Sequence, residues 1–120
     1  MSMNETELLT LFIAECAGAL PHLRVFRRTI VNADVQRGGR TYRARAGITG
    51  QADAYAIIEG GGHVEIETKA ARGAMRTEQV AWRDHMLRMR VPHLVLRAHA
   101  GEHPASTVER WIAELRAVAS

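Results

Sequence analysis

The sequence predicts an α/β fold, a central mixed β-sheet flanked by helices, as one domain over residues 1–120. Three observations point to it. Residues 62–69, GHVEIETK, alternate: Val64, Ile66 and Thr68 fall on one side and Glu65, Glu67 and Lys69 on the other, the period of a strand. Residues 50–58 read as a second strand, joined to the first by Glu59-Gly60-Gly61-Gly62, and glycine runs between two such segments mark hairpins. A helix expected at 78–90 then leads to an apolar strand at 93–98, a right-handed crossover that sets the two strands parallel.

Each element follows in order. Residues 4–19 read as a helix, with Asn4 and Glu7 spaced as a capping pair and Leu8, Leu11, Phe12 and Glu15 on one stripe. Glu15 stands at the rim of that stripe, either solvated or leaning over the sheet. Gly18 and Pro21 end the helix. Residues 24–31 are the first strand, made basic by Arg24, Arg27 and Arg28. A turn at 36–40 leads to a basic flap or short strand at 40–46 carrying Arg43 and Arg45. Few aromatics lie near it, so electrostatic tracking of a nucleic-acid backbone is expected there rather than base stacking.

After the 50–69 hairpin, Arg72-Gly73 opens a loop, and Thr77 is the expected cap of the 78–90 helix. Gln79, Trp82, Met86 and Met89 form its inward stripe, with Gln79 the polar exception beside Lys69. Val91-Pro92 breaks that helix. Ser106-x-x-Glu109 reads as a capping box for a last helix that turns Val108, Trp111, Ile112 and Leu115 inward. The element order is α-β-β-β-β-α-β-α.

Composition narrows the function. The chain has 120 residues and is 47% apolar, which supports a globular core. A single cysteine, Cys16, excludes an internal disulfide and fits a reducing, cytoplasmic setting. No stretch is long and apolar enough to span a membrane, and no secretory pattern opens the chain. A net charge of +3 permits nucleic-acid binding. The six histidines show no i, i+4 pair around an acidic base, which argues against a zinc peptidase. No phosphate loop ends in Gly-Lys-Ser/Thr, and Ser2, Ser106 and Ser120 lack the turn a hydrolase serine needs.

The chemistry gathers on the central hairpin. Lys69 is the only lysine among the 16 basic residues, a sign of a task suited to a compact ammonium. A hairpin loop of residues 60–62 sets Asp53 opposite Lys69, so that Asp53, Glu67 and Lys69 share a face; a two-residue loop would turn Asp53 away. Two carboxylates suit a hard cation such as Mg²⁺ or Mn²⁺, and an ammonium beside them can orient a water. The plainer alternative is an exposed strand face with a cross-paired Glu and Lys.

Gly50-x-x-Asp53, the hairpin, Ile66-Glu67-Thr68-Lys69, then Arg72-Gly73 and Gln79 ahead of Trp82, resemble the core of the PD-(D/E)xK nuclease superfamily. Within it, the VRR-NUC (virus-type replication-repair nuclease) branch is the most similar, over residues 24–98. Ala52 stands where the superfamily name places proline. The resemblance implies a restriction-endonuclease-like core (α-β-β-β-α-β) and a divalent-metal-dependent DNA endonuclease, structure-specific for junction or branched DNA in replication or repair. It implies Mg²⁺ or Mn²⁺ held by Asp53, Glu67 and the Thr68 main-chain carbonyl, with Glu15 as a further acid from the first helix. Lys69 would support the attacking water and Gln79 would assist. Arg27, Arg28, Arg43, Arg45 and Arg72 are the expected DNA contacts, and a homodimer is the expected assembly on a branched substrate. Two other classes stay open: a binding or assembly module that lacks cleavage on the same scaffold, and a scaffold domain with no nucleic-acid role.

Overall fold

A computed structural model describes residues 3–29, 31–46 and 50–119, with residues 31–35 and 42–46 described by their backbone alone. The elements run α1 (Glu5–Ala19), β1 (Leu23–Arg27), β2 (Val31–Arg37), β3 (Arg40–Ala46), β4 (Ala54–Ile58), β5 (Gly62–Lys69), α2 (Thr77–Arg88), β6 (His93–Arg97) and α3 (Pro104–Ala119). A four-stranded sheet has the order β1-β4-β5-β6. β1, β4 and β5 pair antiparallel, and β5 and β6 pair parallel through the α2 crossover. The architecture is therefore α/β with a mixed sheet flanked by helices.

The alternation of β5 sorts the two faces. Val64 and Ile66 sink into an apolar core with Ala54, Ala56, Val25 and Leu96, under Leu8, Leu9, Phe12 and Cys16 of α1 and Val108, Trp111 and Leu115 of α3. Phe12 meets Trp111 edge-on, with centroids 5.9 Å apart, a favoured aromatic geometry. Ile66 is fully buried, and truncating it to alanine would cost about 3 kcal/mol. Glu65, Glu67 and Lys69 face the other way, where α2 packs.

The start of α1 follows the expected logic; its end does not use Gly18, which lies within the helix, and the helix stops at Ala19 ahead of Pro21. The Glu7 amide donates to Asn4 Oδ1 at 2.8 Å and the Asn4 amide to Glu7 Oε1 at 3.1 Å, a closed capping box. Its buried stripe is Leu8, Leu9, Phe12 and Cys16, rotated from the expected one, so that Glu15 is exposed. α2 begins one residue early and ends at Arg88; beyond it Arg90 has a positive φ of 61°. Met89, expected inside, is 61% exposed past the helix end. α3 starts at Pro104, where a proline's missing N–H costs nothing, rather than at the Ser106 box; His103 Nδ1 accepts from the Ala105 amide.

Two differences concern the strands. The expected 24–31 strand ends at Arg27, and β2 is an additional strand that pairs with β3 in a two-stranded sheet of its own. Its turn places both Gly38 and Gly39 at positive φ, as a tight hairpin requires. In the β4–β5 hairpin, Ile58 faces Gly62 and Ala54 faces Ile66, so the loop is residues 59–61 rather than 60–62. Gly60 and Gly61 take φ of 96° and 105° there, conformations open to glycine. The slip is two residues, which preserves side-chain parity. Counting on from Ala54, Asp53 comes opposite Glu67 instead of Lys69 and still lies on the same face.

Candidate functional site

A cleft of about 460 Å³ opens where β5 leaves the sheet, lined by Glu5, Arg27, Asp53, Glu67, Lys69, Arg76 and Gln79 among others. Its floor follows from the end of the β4–β5 ladder. Asp53 lies just before β4, and its Oδ2 accepts from the Thr68 amide at 2.9 Å and the Thr68 hydroxyl at 3.0 Å. An aspartate side chain thus takes the place of the next ladder bond. The Thr68 carbonyl points to the same side of the strand as its amide, toward Asp53.

Gly50 brings this stretch against α2. It has φ of 90°, and a Cβ there would collide with the Glu78 carbonyl. The glycine of the Gly50-x-x-Asp53 motif is thus required by both backbone conformation and close approach.

Gln79 ties the cleft together. Buried in the first turn of α2, its Oε1 accepts from Lys69 Nζ at 2.7 Å and from the Arg76 amide at 2.9 Å. Its Nε2 donates to Glu67 Oε1 at 3.3 Å. One side chain therefore caps the helix, holds the ammonium and touches the carboxylate.

Glu67 is 1% exposed, and its Oε2 is buried with no hydrogen-bond partner among the described residues. Burial and the neighbouring Asp53 carboxyl push its own carboxyl up to about 9, with Glu5 adding to the effect and Lys69 opposing it. Two neighbouring carboxylates, one with a buried unpartnered oxygen, require a shared proton or a cation. The donor set is all oxygen, which fits Mg²⁺ or Mn²⁺ and disfavours softer metals. Among the described residues no three His, Cys, Asp or Glu side chains converge to hold a metal by themselves. That suits Mg²⁺, which keeps several waters and takes one or two protein carboxylates plus substrate phosphate.

The structure thus brings Asp53, Glu67, Lys69, Gln79 and the Thr68 backbone together, as the sequence led one to expect. It does not bring Glu15. That residue lies in a groove between α1 and α3 with Leu11, Val108, Glu109 and Ile112, because ten residues of helix carry it about 15 Å from the N-terminal end of α1. Glu5, in the first turn, is the acid of α1 that lines the cleft. Arg27 stands at the rim, donating to Thr10 Oγ1 at 2.5 Å and reaching the Thr6 carbonyl at 3.4 Å. Arg72 is exposed in the turn after β5 and does not line the cleft, whereas Arg76 does. Arg43 and Arg45 belong to β3, and their side chains lie outside the described residues.

Arg28, an expected DNA contact, lines the cleft but is engaged within the fold. Its guanidinium forks onto Glu65, at 2.7 Å and 3.0 Å, and is only 16% exposed. Glu65, also 1% exposed, accepts further from Trp82 Nε1 at 2.9 Å, and His63 Nε2 lies 2.5 Å from its other oxygen. Burial alone would raise the Glu65 carboxyl; the hydrogen bonds from Arg28, His63 and Trp82 outweigh it and hold the group below its ordinary range. Arg28 is therefore neutralised within the fold, and it locks β1 to β5.

No family model and no curated protein matches the chain. Among solved structures, the crystal structure of SSO0001 is similar to it, with a TM-score of 0.41 and 14% identity, over 96% of this chain and 58% of that one. The chain thus spans little more than half the length of that relative.

Proposed function

We propose that the protein is a divalent-metal-dependent DNA nuclease with a restriction-endonuclease-like core, of the VRR-NUC branch of the PD-(D/E)xK superfamily. The observation that carries the proposal is the Asp53–Glu67 carboxylate pair, in which Glu67 Oε2 is buried with no hydrogen-bond partner among the described residues. Evading that cost would be simple for a purely structural strand, since burying an unpaired carboxylate oxygen is unfavourable unless something satisfies it.

Asp53 and Glu67, with the Thr68 carbonyl, would hold Mg²⁺ or Mn²⁺. When bound, such a cation polarises a phosphodiester and acidifies its water. Asp53 is pinned by Thr68, so its position does not have to be organised during the reaction. Lys69, braced by Gln79, holds an ammonium at the cleft where it can donate to the attacking water or offset developing negative charge. Arg27 and Arg76 at the rim attract phosphate without reading sequence.

The test is incubation with labelled duplex, nicked, flap and junction DNA in Mg²⁺, Mn²⁺ or EDTA. Cleavage is expected with either metal and none with chelator. Undiminished cleavage in EDTA would contradict the mechanism. Salt-dependent DNA binding without cleavage of any substrate would replace the nuclease by a binding module.

A further inference from the structure

On the polar face, α2 packs beside β5 and β6, while the β1–β4 half carries exposed Phe26 (44%) and Ile57 (43%). There, rings from three strands stand in a row. Phe26 of β1 stacks on Tyr55 of β4 with centroids 5.4 Å apart and planes 26° apart. Tyr55 stacks on His63 of β5 at 5.5 Å and 8°. The inner ring faces are used by one another. Phe26 is 44% exposed, and β1 is the edge strand of the described four-stranded sheet, so no strand of that sheet lies against the ring face turned away from Tyr55. A shallow groove of about 410 Å³ runs along this edge past Arg24, Phe26 and Ile57.

Charge accompanies the rings. Side chains alternate along β1, so Arg24, Phe26 and Arg28 share this face. The Arg28 guanidinium lies 4.9 Å from the Tyr55 centroid and also lines the cleft that holds Asp53 and Glu67. Arg28 therefore links the middle ring of the ladder, Tyr55, to the candidate active site. Arg24, not engaged by a carboxylate among the described residues, is the cation placed beside the exposed ring; its guanidinium donates to the Leu23 carbonyl. An open ring flanked by a guanidinium is how proteins bind single strands, since every base has a π-face to stack and a phosphate to pair. A duplex keeps its bases stacked inside and has none to offer.

We infer that an unpaired DNA base stacks on the outer face of Phe26 as a fourth member of the Phe26–Tyr55–His63 ladder, with its phosphate at Arg24. The substrate class is thus DNA with a single-stranded segment beside the cut. This deepens the nuclease proposal by naming what the same site recognises, and it depends on DNA binding rather than on cleavage.

The test is fluorescence anisotropy with labelled oligothymidine and with blunt duplex, in EDTA so that cleavage plays no part. Phe26→Ala and Phe26→Leu should each lower single-strand affinity roughly tenfold and change duplex affinity less than about twofold. Phe26→Trp should keep the affinity, with its indole emission quenched by the oligonucleotide. Circular dichroism checks that each variant folds. An equal loss on both DNAs, or no loss on the single strand, would overturn the inference. So would loss of a dimer in Phe26→Ala with single-strand binding unchanged, which would assign this face to a second copy. Metal-dependent cleavage together with Phe26-independent binding would overturn the stacking site and leave the nuclease standing. Phe26-dependent binding without cleavage would do the reverse.

Discussion

Glu65 and Glu67 are the same residue type, two apart on the same face of β5, and each is 1% exposed. Their surroundings are opposite. Glu65 is met by a guanidinium fork, an indole N–H and an imidazole, and stays ionised below its ordinary range. Glu67 receives one long bond from Gln79, keeps an orphaned oxygen, faces a second carboxylate and is pushed up to about 9. Burial alone therefore says little about a carboxylate's task; its partners decide. Glu65 is a fastener, and Glu67 is the carboxylate that we propose as half of a metal site.

The largest effects should fall on the cleft. Asp53→Asn and Lys69→Met should each fold normally and slow cleavage by roughly a hundredfold or more, the loss seen when one preorganised electrostatic group goes. Lys69→Arg should also fail, because a planar guanidinium does not replace a compact donor. DNA binding should persist in all three. Near-normal cleavage rates in these variants would make this face ordinary surface.

On the fastener side the effect is stability. Glu65→Gln leaves the Arg28 guanidinium nearly buried without its countercharge, which should cost about 3 kcal/mol in urea unfolding. A loss below about 1 kcal/mol would show that the Arg28–Glu65 pair does not lock β1 to β5.

Smaller changes should appear at the rim. Arg27→Ala and Arg76→Ala should each weaken DNA binding several-fold for all sequences alike and reduce the salt slope by about 1. Altered sequence preference would instead mean that these side chains read bases.

The smallest effect concerns a third carboxylate, distant in the fold. Glu102 is pushed down to about 2, chiefly by hydrogen bonding to Arg110, with Thr107 and the His99 amide helping. Its folded value is depressed, so its contribution is present above the ordinary carboxylate range and is lost as pH falls from about 4.5 toward 2. Glu102→Gln should be about 1 kcal/mol less stable than wild type at pH 7 and nearly equal to it near pH 2. An equal difference at both values would show that the charge of Glu102 contributes nothing.

What could be seen in the sequence was what depends on parity and local spacing. The shared face of Asp53, Glu67 and Lys69 was legible because a register slip of two leaves it intact. The Asn4–Glu7 cap and the inward stripe of α3 were legible for the same local reason. Glu5 was missed because helical periodicity names a face but not which end of the helix meets the sheet. The fate of Arg28 was hidden because its partner is 37 residues away. β2 was hidden within a basic run that shows no clean break before Val31. The aromatic ladder was invisible because only 5% of residues are aromatic, and the strand order β1-β4-β5 is what gathers three rings from positions 26, 55 and 63.

The most direct test of the contrast is the Mn²⁺-dependent cleavage rate of Glu65→Gln and Glu67→Gln on one labelled DNA substrate, each compared with wild type and with EDTA. Glu65→Gln, assayed well below its lowered melting temperature, should cleave within severalfold of wild type. Glu67→Gln should fold, melt no earlier than wild type and cleave at least about a hundredfold more slowly. Wild-type cleavage by Glu67→Gln, or cleavage that persists in EDTA, would contradict the assignment of Glu67 to a metal-dependent site.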